Sequence, residues 1–105
     1  MVLVRDVFRL RFGKAREALA LLQEASSPAR GPGGEVGRVM TDLTGELHTV
    51  VLETEFEDLA ALEAALARAS RDEAWRAWYG RFAPLVREGR REVFRVVETG
   101  PVRGL

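Results

Sequence analysis

Between Ser70 and Val97 the sequence commits the chain to a helix that must be buried and a strand that follows it. Trp75, Trp78, Tyr79 and Phe82 recur at i, i+3, i+4 and i+7, which draws four large rings onto one helical stripe. Each such ring removes roughly 150–250 Å² from water when it packs, so the stripe calls for a core beneath it. The same stripe has the chemistry of a wall for an aromatic ligand, with Trp75, Trp78 and Tyr79 as the binding candidates. The closing run Glu92-Val93-Phe94-Arg95-Val96-Val97 is rich in β-branched and aromatic residues and reads as a strand. Both tryptophans of the chain lie in this segment.

From the N-terminus, Val2 to Phe12 alternates, with Val4, Phe8, Leu10 and Phe12 on one parity and Arg5, Arg9 and Arg11 on the other, as in a half-buried strand. Gly13 ends it. Lys14 to Ser27 places Ala15, Ala18, Leu19, Leu22 and Ala25 at helical spacing. The stretch from Ser26 to Gly34 is dense in Pro and Gly and reads as a connector. It lacks the G-x-x-x-x-G-K-[ST] pattern of a phosphate cradle and follows a helix rather than a strand. Glu35 to Asp42 and Leu47 to Phe56 flank Leu43-Thr44-Gly45-Glu46 and read as a hairpin. Asp58 is a natural N-cap for a helix whose stripe is Leu59, Leu62, Ala65, Leu66 and Ala69. Ser70-Arg71-Asp72-Glu73 matches a capping box, with Ser70 as the cap of the aromatic helix. Pro84 ends that helix, Arg91 to Glu98 forms the last strand, and the tail from Val102 is expected to fray.

The order β-α-β-β-α-β within a single domain, residues 1–105, predicts an α+β, ferredoxin-like fold. Its four-stranded antiparallel sheet carries helices on one face. The more apolar parity, Val4, Phe8, Leu10, Val50, Leu52, Phe94 and Val96, is assigned to the helix side. The other parity holds Leu3, Arg5, Val7, Arg9, Leu47, Thr49, Val51, Glu53, Val93, Arg95 and Val97. A face left in water is expected to be mainly polar, and this one mixes aliphatics with arginine and glutamate. The expectation is therefore a homodimer, two copies stacked sheet on sheet about a two-fold axis. Asp6 and His48 fall on the supposed helix side, where a carboxylate needs a partner.

Composition narrows the function. Sixteen basic residues balance sixteen acidic ones, so the footprint of a nucleic-acid binder is missing. No apolar run is long enough to span a membrane, and the first residues do not read as a signal peptide, so cytoplasm is the default. With no cysteine, disulfides, thiol catalysis and Cys-based zinc sites are excluded. Asparagine is absent and one lysine stands against fifteen arginines, which fits a heat-adapted source or a GC-rich genome.

Few residues carry candidate chemistry. His48, the only histidine, is the residue type suited to a general base, but a lone histidine beside a hairpin turn reads first as an ordinary surface or edge residue. A lone histidine and no convincingly paired carboxylates argue against a metal site, and no cofactor is expected. If Arg9, Glu53 and Arg95 all point into a closed barrel, they suit a carboxylate-bearing or phenolic ligand through charge-assisted hydrogen bonds. The competing reading is an ion-pair network that orients the dimer.

Strand one running into Phe12-Gly13-Lys14, the junction Glu53-Thr54-Glu55-Phe56-Glu57-Asp58, Asp72-Glu73-Ala74-Trp75 and the closing Arg91-Glu92-Val93-Phe94-Arg95-Val96-Val97-Glu98 carry a resemblance. Together they resemble the dimeric α/β-barrel superfamily, which includes antibiotic-biosynthesis monooxygenases, and its NIPSNAP-like branch most of all. The resemblance implies a dimer with a pocket for a small, aromatic molecule, which some members oxidise without metal or flavin. The alternative is a non-enzymatic ligand-binding or dimerisation domain with a filled interior. Haem-degrading relatives use an Asn, a His and a Trp together, and a chain without asparagine lacks that set. Acylphosphatase-like enzymes need a catalytic Asn as well. RNA-recognition modules need exposed aromatics on their middle strands, which this sequence does not offer.

Overall fold

The computed structural model describes residues 1–25, 35–98 and 100. The elements run β1 (Val2–Leu10), α1 (Ala15–Ala25), β2 (Glu35–Thr41), β3 (Thr49–Phe56), α2 (Leu59–Arg71), α3 (Glu73–Phe82) and β4 (Val86–Arg95). The strands form one antiparallel sheet in the order β2-β3-β1-β4. This is the ferredoxin-like β-α-β-β-α-β arrangement. The Pro/Gly-rich connector at 26–34 and the tail from 101 lie outside the described residues. Among the described residues no helix is long and apolar enough to cross a membrane.

The core lies between one face of the sheet and the helices. Ala18, Leu21 and Leu22 of α1 pack with Phe82 of α3, Leu85, and Leu10 and Val50 of the sheet, with Phe8, Leu52 and Trp78 against them. Phe82 is the anchor of this cluster. Its ring stacks on Trp78 at 5.0 Å and meets Phe8 edge-on at 5.3 Å. Opposite Phe8 in the ladder stands Gly89, where a Cβ would come within 2.8 Å of the Phe8 ring. Only glycine leaves that ring its room.

Helix boundaries follow the capping chemistry, with one correction. Asp58 caps α2 as expected, accepting from the Ala61 N–H at 2.8 Å. The aromatic helix is capped by Asp72, not Ser70. The Asp72 Oδ1 accepts from Ala74 N at 2.9 Å and Trp75 N at 3.2 Å, while Ser70 Oγ donates to the Ala67 carbonyl within α2. A carboxylate is the stronger acceptor for the bare N–H groups at a helix start.

The second correction concerns β4. It begins at Val86, five residues before the expected Arg91, and its ladder with β1 slips between Arg9 and Leu10. Leu10 pairs with Val86 and Arg9 with Glu88, so Arg87 is an extra residue in the strand. Beyond it the alternation is inverted. Val93 lies opposite Val4 on the helix side, and Phe94 lies opposite Leu3 on the open side. The assigned parity holds for β1 and β3 and is reversed for β4. Asp6, on the helix side, meets the partner it needs in Arg91 Nε at 2.7 Å.

Candidate functional site

The face without helices is built from three rows of cross-strand neighbours and a fourth at its edge. Leu3 is flanked by Glu55 and Phe94, Arg5 by Glu53 and Glu92, Val7 by Val51 and Arg90, and Arg9 by Thr49 and Glu88. From β2, Arg38 stands beside Glu53 and Met40 beside Val51. A shift in register between Val36 and Arg38 sets that last alignment.

Charges on this face pair with one another. Glu53 is 8% exposed in the single chain, and its Oε1 accepts from Arg38 Nη2 at 2.7 Å and Nε at 3.0 Å. Two donors from one guanidinium give this pair the strength of a charge-assisted hydrogen bond. Arg9 lies between two glutamates, its Nε 2.7 Å from Glu46 Oε2 and its Nη1 3.4 Å from Glu88 Oε1. The contact to Glu46 is close but poorly aligned, so Arg9 Nε has no hydrogen-bond acceptor and the attraction is mainly Coulombic. Arg90 Nε and Glu92 Oε2 stand 3.5 Å apart in the next row.

Arg9 and Glu53 therefore share the open face, as the sequence suggested. Arg95 does not. It pairs with Val2 at the far end of β4, on the helix-side parity, because the extra residue Arg87 inverts the alternation. Arg5, Arg38, Glu88, Arg90 and Glu92 belong to the charged face and were not chosen from the sequence. The absence of apolar residues from Arg87 to Glu92 hid the first half of β4. It is an edge strand, where charge protects against unwanted pairing.

The aromatic stripe divides in two. Trp78 stacks on Phe82, and its indole N–H donates to the Leu21 carbonyl at 2.7 Å, which ties α3 to α1. Trp75 stacks on Tyr79 at 5.0 Å on the outer side, where Tyr79 is 48% exposed. The inner pair is core, and the outer pair is the part that remains accessible.

His48 sits in the turn before β3 with φ +61°, a left-handed conformation that histidine tolerates better than most side chains. Its carbonyl accepts from Leu10 N at 2.8 Å, and its ring meets Phe12 edge-on at 4.8 Å. Among the described residues no carboxylate or carbonyl holds its ring nitrogens in place, as a general base requires. No three His, Asp or Glu side chains among the described residues gather as a metal site. A groove of about 420 Å³ runs between α1 and α3, with Glu17, Leu21, Glu24, Gly80, Arg81 and Leu85 on its walls. None of the residues chosen from the sequence lines it.

Residues 5–101 match the family model described as NIPSNAP. The chain belongs to the NIPSNAP family. Solved structures similar to this NIPSNAP chain include a NIPSNAP domain protein from Burkholderia xenovorans, at 20% identity and a TM-score of 0.86, covering 97% of this chain and 100% of that one. A NIPSNAP family protein from Agrobacterium tumefaciens is similar at 20% identity and a TM-score of 0.84, covering 97% and 98%. A protein from Deinococcus radiodurans named after the antibiotic biosynthesis monooxygenases is similar at 17% identity and a TM-score of 0.75, covering 99% and 100%. At such identities the likeness establishes the fold alone, the ferredoxin-like β-α-β-β-α-β sheet with its helices on one face. No curated protein matches the sequence.

Proposed function

We propose that this NIPSNAP protein is a homodimerisation module, in which two open sheet faces stack to close a barrel with a filled interior. The observation that carries this reading is the composition of the uncovered face. Leu3, Met40, Val51 and Phe94 form an apolar path through it around the buried Val7, and Phe94 is 46% exposed in the single chain. Apolar surface of this kind is characteristic of an interface. Arg38 with Glu53, Arg9 with Glu46 and Glu88, and Arg90 with Glu92 are already paired around it, which lowers the penalty of covering them.

The second reading is binding of a small aromatic molecule, or its oxidation without metal. It has less support. Arg9 and Glu53 are engaged by neighbouring charges, Trp78 by Leu21, and Trp75 by Tyr79. The groove beside α3 is walled by other residues. The accessible Trp75–Tyr79 pair is what supports it. A cytoplasmic setting and a heat-adapted source belong to the proposal through composition alone.

Sedimentation equilibrium tests the dimer. The expected species has twice the 11.7 kDa mass of the chain at micromolar concentration. Phe94→Glu, which sets a charge in the apolar path, is expected to shift it to the single chain without loss of helical circular dichroism. A wild-type protein that sediments as a single chain at tens of micromolar overturns the reading.

A further inference from the structure

Two charged residues of the open face, Arg5 and Glu55, form no ion pair with the described residues. Arg38 holds Glu53, Arg9 stands between Glu46 and Glu88, and Arg90 meets Glu92. Arg5 lies in the middle of this array, yet its Nε is buried with no hydrogen-bond partner, and it forms no ion pair with the described residues. Its two cross-strand glutamates, Glu53 and Glu92, already serve Arg38 and Arg90. Glu55 is the complementary case. It lies one step along β3 on the same face, opposite Leu3, exposed and without an ion pair among the described residues.

Glu55 is tolerable unpaired while water reaches it, and Arg5, its Nε already buried, is only partly so. Under a second sheet both become costly, because a charge removed from water needs a counter-charge. In an isologous interface, if residue i of one copy meets residue j of the other, then j also meets i. An unpaired cation and an unpaired anion on the same face can meet each other's counterparts in such an arrangement. A two-fold axis in the plane of the interface, midway between the two positions, sets each residue over the other's counterpart.

We propose that Arg5 forms an ion pair with Glu55 of the partner subunit, and by symmetry Glu55 with Arg5 of the partner subunit, fixing where the two-fold axis runs over the sheet. The inference rests on the dimer proposed above and adds its register. The occupant of the face is a second copy of this chain, since the face carries both an unpaired cation and an unpaired anion beside its apolar path, as a self-complementary contact needs.

Charge reversal tests it by sedimentation equilibrium on the wild type, Arg5→Glu, Glu55→Arg and the double variant. Each single reversal is expected to weaken the dimer on the order of tenfold or more. The double variant restores the pair with its poles exchanged and is expected to recover to within roughly threefold of the wild type. A double variant as weak as the two single losses combined overturns the pair, as do single reversals that leave the dimer intact; in both cases the dimer itself stands. A monomeric wild type overturns both readings. If Arg5→Glu does not fold, the neutral cycle of Arg5→Gln, Glu55→Gln and both together measures the same coupling, and independent effects overturn it. Sulfate or acetate that raises the melting temperature of the wild type but not of Arg5→Gln, with Glu55→Arg still dimeric, assigns Arg5 to a small anion instead and also overturns the pair.

Discussion

Val50 and Val51 are consecutive in β3 and project to opposite faces of the sheet. Val50 is 1% exposed, pressed among Leu10, Leu22 and Phe82, whereas Val51 is half-buried in a row with Val7 and Met40. The helix-covered face is specified by shape: two stacked rings, an edge-on contact and a glycine that makes room for it. The open face is specified by charge, with arginine and glutamate alternating around a narrow apolar path. Packing is complete within one chain. Charge pairing on a flat sheet leaves a remainder for another surface to meet.

Five substitutions probe that contrast, in order of expected effect. Phe82→Ala removes the anchor of the covered face and is expected to cost about 3–5 kcal/mol in chemical denaturation. Gly89→Ala forces a Cβ against the Phe8 ring and is expected to cost about 1–3 kcal/mol, read as a lower melting temperature. Val50→Ala is expected to lose roughly 1.5 kcal/mol at any protein concentration. Val51→Ala is expected to give a loss that grows with protein concentration, because its burial is completed by a second copy. Equal and concentration-independent losses at the two valines would erase the distinction. Arg38→Ala is the mildest, at about 0.5–1 kcal/mol, because Arg38 is largely exposed. Added salt is expected to shrink its difference from the wild type, whereas the Phe82→Ala difference is not expected to depend on salt.

Most of the covered face was legible in the sequence. Helical spacing of Trp75, Trp78, Tyr79 and Phe82 announced the packed stripe, and Phe8, Leu10, Val50 and Leu52 announced the sheet residues beneath it. The open face was legible only in part. Arg9, Val51 and Glu53 followed from simple alternation, but Phe94 and Arg95 exchanged sides because one extra residue, Arg87, leaves no mark in composition. Arg38 escaped notice as the partner of Glu53 because a second slip in register, in β2, decides that alignment. Periodicity describes a strand that keeps step, and both misjudged alignments lie beyond a break in step. Ser70 and Asp72 are both good caps, and only the position of the carboxylate distinguishes them.

Asp72 stands alone between α2 and α3, its own N–H bonded to the Ala69 carbonyl while its carboxylate opens the next helix. With a single residue as the joint, there is no slack to absorb a change in length. An α-helix turns about 100° per residue, so one residue gained or lost in α2 would swing the following helix round like a mis-set gear. Trp78 would then point away from Leu21, and the grip between the first and last helices would be lost. Variation in this chain is expected to substitute residues along α2 freely on its outer side while conserving their number.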